Sequence, residues 1–296
     1  NNRLLINGDA ASDTLTYELE VNGQIAAQSG RLDQLIFTDN LIRIGNSAGT
    51  KYGNNNENFF VVNIGDVAGS SSSGVFDGVL IGTLAGSELE LSSGVVAVGK
   101  RAAESADRID ETVLIATNAG QAASGLVTSV GIGFGALQTA ENSADVYVVG
   151  LSAGSGIVQS STVYGFGDNA FRLASGINNA IGFGKNAFNG ADDIRNSYVI
   201  GNRPASGAVD FLQVYGIGDS VVREASGLDN VIAIGESAAR YSEQMDNVIA
   251  LGQDASLSGY KLYQTVAVGG SAAYEASGSF NIYIGQDAGV SVSGHN

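Results

Sequence analysis

A glycine recurs at every seventeenth position along most of this chain, and each one ends a short apolar segment. The segment NVIAIG at 230–235, for example, returns as NVIALG at 247–252. We call this residue the corner residue and number each copy of the repeat from it as position 0. The 15 corner residues are Gly45, Gly65, Gly82, Gly99, Ala116, Gly133, Gly150, Gly167, Gly184, Gly201, Gly218, Gly235, Gly252, Gly269 and Gly285. Because the spacing is constant at every step from Gly65 to Gly269, the sequence predicts repeated structural units.

The residues before each corner alternate in a way that predicts a short β-strand. Position −1 is always large and apolar, and position −3 is Val, Ile or Tyr in every copy. Side chains two residues apart lie on the same face of a strand. We therefore expect positions −1 and −3 to point inward and position −2 to be freer. Ile234 and Leu251, one copy apart at position −1, should then stack inside the fold.

The residues after each corner predict a tight turn and a second extended stretch. Position +3 is Ala in all copies except at Pro204 and Val221, so we expect a corner with room for a methyl group only. Position +7 is mostly small, and position +10 is often large, as in Val75, Leu126 and Met245. Asn, Asp, Ser and Gly separate the two extended stretches and favour turns.

One 17-residue copy fits one coil of an all-β parallel solenoid, in which like residues of successive coils stack. A helix fits poorly, because Gly and β-branched residues recur at fixed interior positions with a period of two. A longer period, three times the first, relates segments 167–177, 218–228 and 269–279. We interpret it as amplification of three coils; the alternative is a 51-residue coil with three faces.

The segments VIAIGESA (231–238) and VIALGQDA (248–255) resemble the head repeats of trimeric autotransporter adhesins and similar repeats of bacteriophage tail fibres. The resemblance covers about residues 40–296, and it implies a left-handed parallel β-roll whose three chains pack side by side. The segment LEVNGQI (19–25) resembles a connector of phage tail-fibre and tail-spike proteins. We therefore predict connector or capping strands in residues 1–39 and a solenoid shaft of 15 coils in residues 40–296.

The resemblance implies a structural and adhesive homotrimeric fibre, from a phage tail or a similar appendage, that holds a receptor-binding end away from the particle. Its expected location is the virion or the cell exterior. Its expected partners are copies of itself, other fibre or tail proteins, and a host surface glycan or protein. The alternatives are a glycan-cleaving tail spike and an ice-binding solenoid. The last residues, 290–296, stop inside a coil, so we expect the natural protein to continue.

Composition argues against several other classes of function. The net charge of −16 opposes binding to nucleic acid or to an anionic membrane surface. No apolar run approaches the ~18 residues of a membrane-spanning helix. The chain has no Cys and a single His, His295, so thiolate metal sites and His-based catalysis are not expected. We predict no enzymatic activity, no cofactor and no metal site.

Three groups of residues resemble chemical motifs, and each has a structural explanation. Segments 131–136, 165–170 and 182–187 match the dinucleotide fingerprint G-x-G-x-x-A, but they recur with the repeat and no helix pattern follows them. The carboxylates Asp192 with Asp193, and Asp229 with Asp246, are candidates for a glycosidase pair, although their positions in turns favour solvated side chains. The tyrosines at position −3 could form a sugar-binding ladder, but they share a face with Val and Ile, which favours core or subunit packing. They are Tyr147, Tyr164, Tyr198 and Tyr215.

Overall fold

The computed structural model describes most of the repeat region. The described residues are 41–45, 47–48, 60–141, 144–171, 174–187, 191–193, 195–205, 209, 212–222, 224, 226–227, 229–240, 246–256 and 260–292. Contacts divide the chain into Asn1–Thr38 and Asp39–Asn296, and the described residues all belong to the second unit. The predicted connector strands in residues 1–39 and the tail after residue 292 lie outside the described residues.

The described residues form β-strands and turns, and none of them is helical. The strands are β1 (Leu41–Ile44), β2 (Val61–Ile64), β3 (Ser73–Phe76), β4 (Val79–Ile81), β5 (Glu90–Ser93), β6 (Val96–Val98), β7 (Val113–Ile115), β8 (Val130–Ile132), β9 (Val146–Val149), β10 (Val163–Phe166), β11 (Ala180–Phe183), β12 (Tyr198–Ile200), β13 (Val214–Ile217), β14 (Val231–Ile234), β15 (Ile249–Leu251), β16 (Tyr260–Tyr263), β17 (Val266–Val268), β18 (Ser277–Ser279) and β19 (Ile282–Ile284). The predicted all-β class is confirmed.

Fifteen of these strands form one parallel sheet, with one strand from each coil. Its order is β1-β2-β4-β6-β7-β8-β9-β10-β11-β12-β13-β14-β15-β17-β19. Ile232 pairs with Ile249, the same position in the next copy of the short repeat, so each copy is one coil and a coil of three copies is excluded. The predicted parallel solenoid is confirmed, while the left-handed sense of its coil stays a prediction.

The second extended stretch of each coil forms shorter parallel pairings. Strand β3 pairs with β5 and β16 pairs with β18, and isolated bridges such as Asp110 with Val127 continue the same stacking. Val75, Ile109 and Leu126 at position +10 are fully buried, so this stretch has the predicted inward side. The buried hydroxyl of Thr112 donates to the carbonyl oxygen of Asp110 at 2.8 Å, which satisfies a polar group inside the coil.

The corner glycines are required by the backbone. Gly65, for example, has a φ of 134°, a conformation that L side chains rarely adopt. A Cβ atom there would also lie 2.5 Å from the carbonyl oxygen of Gly82, the corner of the next coil. The exception in sequence, Ala116, shares the conformation with a φ of 115°. The corner column is therefore fixed both by φ and by contact between successive coils.

The sequence-based prediction of which strand face is inward is wrong. From β2 to β17, the residue at position −2 is buried in every strand of the large sheet, as in Leu80, Val199 and Ala233, all with 0% exposure. The residues at positions −1 and −3 point outward instead. Ile234, predicted to lie inside, is 41% exposed. At position +3, Ala238 and Ala255 are buried as predicted, with 0% exposure, but Val221 in the same column is also fully buried, so the predicted limit to a methyl group does not hold in every coil.

The interior is narrow, and the side chains at positions −2 and +4 share its volume. Where position −2 is Leu80, position +4 is Gly86, and a Cβ atom on this glycine would lie 2.5 Å from the Leu80 side chain. Where position −2 is Gly165, the ring of Phe171 takes the space, 2.8 Å from a hypothetical Cβ. Other coils use Ala at both positions. Residues at position −2 therefore vary because position +4 compensates for their size.

This compensation predicts a strong coupling between Leu80 and Gly86. Leu80→Ala alone should cost about 2–5 kcal/mol through the cavity that it leaves. Gly86→Ala alone should also destabilise, since the added methyl meets the Leu80 side chain. The double variant recreates the Ala–Ala arrangement of other coils, so its loss should be smaller than the sum by at least about 0.5–1 kcal/mol. Chemical unfolding of the four proteins measures this, and strict additivity would contradict shared volume.

Candidate interaction face

The outward side of the 15-stranded sheet is a continuous apolar surface, which we call the apolar face. It consists of positions −3 and −1 of all coils, and both positions hold only Val, Ile, Leu, Phe and Tyr. None of these side chains is buried in the part of the chain that the structure describes. Ile200 is 48% exposed and Ile217 is 46% exposed, although both are large aliphatic residues in a central part of the sheet. Each strand thus contributes two apolar side chains to solvent.

Aromatic residues are concentrated on five adjacent strands of this face. We call them the aromatic belt; its members are Tyr147, Tyr164, Phe166, Phe183, Tyr198 and Tyr215. They lie on β9 to β13 and stack in pairs across neighbouring coils. The ring centroids are 5.2 Å apart for Tyr147 and Tyr164, 4.9 Å for Phe166 and Phe183, and 5.3 Å for Tyr198 and Tyr215. The tyrosines therefore lie on the outer surface, so packing in the core is wrong, while the alternative of packing between subunits stays a prediction.

Polar residues border the apolar face on both sides. Before the strands, position −5 carries amides in six successive coils: Asn179, Asn196, Gln213, Asn230, Asn247 and Gln264. Some of these amides form hydrogen bonds between neighbouring coils; for example, the Asn230 Nδ2 donates to the Asn247 Oδ1 at 3.2 Å. After the corner, position +1 is mostly polar and exposed, with Phe134 and Leu151 as apolar exceptions. This layout of an apolar centre and a polar border is typical of protein interfaces.

The glycine fingerprints are explained by packing. Gly131 and Gly165 at position −2 face the interior, where the Leu137 and Phe171 side chains would lie 2.9 Å and 2.8 Å from an added Cβ. The space left by these glycines is therefore taken by side chains. In the described residues, each fingerprint itself passes from a strand into a turn, where a dinucleotide-binding fold would begin a helix.

The carboxylate candidates make local contacts. Asp193 lies 3.5 Å from the guanidinium of Arg195, and both groups are about half exposed. The Asp229 Oδ1 accepts a hydrogen bond from the backbone N–H of Asn230 at 2.9 Å, and Asp246 Oδ1 accepts one from Asn247 Nδ2. Among the described residues, no three His, Cys, Asp or Glu side chains are placed to hold a metal ion. These contacts fit turn residues, and the predicted lack of enzymatic activity stays a prediction.

Comparison with known proteins does not assign the chain to a family. No family model matches its sequence, and no curated protein matches it. Within the described residues, no helix is long and apolar enough to cross a membrane. The apolar face is therefore the feature of the structure from which a function can be argued.

Proposed function

We propose that this chain is the shaft of a homotrimeric fibre, from a phage tail or a similar appendage outside the cell. Its role is mechanical: a hydrogen-bonded rod holds a receptor-binding end away from the particle to which it is attached. The observation that carries the proposal is the apolar face, because a solvent-exposed surface of this kind requires a covering partner. The resemblance of its repeats to adhesin heads and tail fibres supports the same function.

The size of the apolar face supports a stable protein interface. Fifteen strands at a spacing of about 4.8 Å make it about 65–70 Å long, and two columns of side chains make it about 10 Å wide. The resulting area is on the order of 700 Å². Monomeric proteins rarely expose an apolar patch of more than about 300–600 Å². Stable interfaces bury about 800 Å² on each partner, which this face nearly supplies alone.

Copies of the same chain fit this face better than an unrelated protein. The face repeats with the coil, so another copy presents the same spacing along its whole length. In a three-fold arrangement, the −3 column of one chain contacts the −1 column of the next, and three such contacts close the ring. The chain has 30 acidic and 14 basic residues, yet neither outward column carries a charge. Association would therefore bury no charged side chain of these columns.

Molecular mass in solution tests the assembly. We expect an elongated particle of three chains, each of 30.1 kDa, in light scattering combined with size-exclusion chromatography. The Ile232→Asp variant, which places a charge on the face, provides the monomer reference. A wild-type mass equal to one chain would overturn the fibre proposal, and a mass of two chains would overturn its three-fold form.

A further inference from the structure

We infer that Phe134 and Leu151, which we call the border patch, pack against Val127 and Ala144 of a neighbouring copy, outside the apolar face. The inference rests on the proposed three-fold assembly and adds a second contact surface to it. In the column at position +1, 13 of the 15 residues are polar or glycine. Phe134 and Leu151 are the two exceptions, and they are 54% and 49% exposed. They occupy successive coils, so they form one patch at a single level of the rod.

The backbone holds the border patch in a fixed position. The carbonyl oxygen of Phe134 accepts a hydrogen bond from the N–H of Ser152 at 2.8 Å, and that of Leu151 accepts one from Asn169 at 2.8 Å. The N–H of Leu151 donates to the Asp168 Oδ1 at 3.1 Å. Both residues are therefore bonded to the next coil in the regular pattern of the rod. Because the turn is already ordered in the single chain, covering these side chains costs little backbone entropy.

The opposite border of the same two coils is also apolar. Position −6 holds Val127 and Ala144 there, and both side chains are exposed, Val127 by 43%. The coils before and after them carry Asp110 and Ser161 at this position. In these two coils, the one charged side chain between this border and the apolar face is Asp145, which is exposed. Each of the two coils thus has an apolar residue outside both edges of the apolar face.

Three-fold symmetry brings these two borders together. A closed ring of three chains is generated by rotation without translation, so the same coils of neighbouring chains lie at one level. Where the −1 column of one chain contacts the −3 column of the next, the columns outside them are position +1 of the first chain and positions −5 and −6 of the second. The border patch then meets Val127 and Ala144 of the neighbouring copy. Asp145 lies at the solvated rim, where interfaces are usually polar.

A copy of the same chain fits the border patch better than an unrelated partner. Single exposed apolar residues are normal on protein surfaces, but here the departures from a polar column occur in adjacent coils and adjoin the apolar face. Symmetry also supplies a matching apolar border at the same level, which an unrelated protein would have to provide separately. Covering the exposed half of Phe134 alone removes on the order of 100 Å² from water.

Disulfide formation tests the contact, because the native chain contains no Cys. In the double variant Val127→Cys with Phe134→Cys, each thiol should pair with the other kind of thiol on a neighbouring chain, giving covalent trimers under oxidising conditions. Within one chain, about 15–20 Å of extended strand separates the two positions. A disulfide needs Cα atoms about 4.4–6.8 Å apart, so an internal bond is excluded. The single variant Phe134→Cys is the control, because three-fold symmetry keeps its three thiols apart.

A second experiment measures how much the border patch strengthens the assembly. The variant Phe134→Thr with Leu151→Thr introduces the residue found in the same column at Thr117, so the coils should stay folded, as thermal unfolding can establish. The chain concentration at which half of the trimer dissociates should rise at least about tenfold. Val158→Thr removes an apolar side chain that is 41% exposed at position +8, away from both borders, and should leave that concentration unchanged.

The outcomes separate this inference from the fibre proposal. A trimer that forms no covalent trimer with the double Cys variant, or that dissociates at the native concentration after Phe134→Thr with Leu151→Thr, would overturn the border contact and leave the fibre intact. An equal effect of Val158→Thr would do the same, because the loss would not be specific to this border. A native chain that stays monomeric would overturn the fibre proposal, and the border contact with it.

Discussion

Aspartate at Ile232 should dissociate the assembly into folded single chains, whereas aspartate at the preceding residue, Val231, should unfold the coils around it. The two side chains lie on opposite faces of β14: Val231 has 0% exposure and Ile232 has 37%. At Ile232, the carboxylate stays hydrated in the free chain, so folding loses little. In the trimer it would join two equivalent charges in a desolvated interface, which should cost several kcal/mol.

At Val231 the carboxylate has no partner inside the coil, and its burial should cost several kcal/mol of folding free energy. Coils couple mainly to their neighbours, so the loss of hydrogen-exchange protection should centre on residues 214–256 and spare 61–100. Light scattering measures the mass of each variant in solution, and thermal unfolding measures its stability. If Ile232→Asp unfolded the chain as severely as Val231→Asp, the assignment of inward and outward faces would be wrong.

Alanine at the corner residue Gly235 should cost about 3 kcal/mol or more, while alanine at Gly227 should be neutral or slightly stabilising. Gly235 has a φ of 136°, and a Cβ there would overlap the carbonyl oxygen of Gly252 in the next coil. The obstacle is backbone that is itself held by inter-coil hydrogen bonds, so it cannot move away cheaply. Gly227 has no atom within 4 Å of a Cβ position. Denaturant unfolding of both variants gives the difference.

The reverse substitution supplies the matched control. Ala116 adopts the corner conformation with a Cβ, at a φ of 115°, so Ala116→Gly should stabilise the chain by about 1 kcal/mol. The need for glycine at the corner would be contradicted if Gly235→Ala unfolded at the same denaturant midpoint as the native chain. It would also be contradicted if the midpoint of Ala116→Gly were lower than that of the native chain.

The repeat and its coil length could be predicted because they depend on the backbone. The corner needs a positive φ in every coil, and only glycine adopts it readily. The length of a coil can therefore be read from the number of residues between successive glycines such as Gly65 and Gly82. The Ala column at position +3 could also be predicted as an interior position, since Ala85 and Ala102 are fully buried. These positions tolerate few residue types, and each coil repeats the constraint.

The inward face of each strand could not be predicted, because side chains that alternate along a strand define two faces without indicating which of them is buried. The outward columns are large and apolar in every coil, which is the usual mark of a core. The inward column contains Leu80, Ala97 and Gly165, and this variety resembles a solvent-exposed position. It arises because position +4 adjusts to position −2, a correlation that needs the three-dimensional path of the coil. The sequence therefore identified the residues of the candidate interaction face but assigned them to the interior instead of the surface.

The coils also tolerate changes in the number of residues that connect their strands. The first step, from Gly45 to Gly65, is longer than the regular repeat, and the last step, from Gly269 to Gly285, is shorter. Even so, Leu41 pairs with Val61 and Val266 pairs with Ile282 in the same sheet, so small insertions and deletions are absorbed between strands. Duplication or loss of a whole coil changes the reach of the rod by about 4.8 Å and leaves its cross-section intact. For the gene that encodes such a rod, length is a trait that selection can adjust one coil at a time.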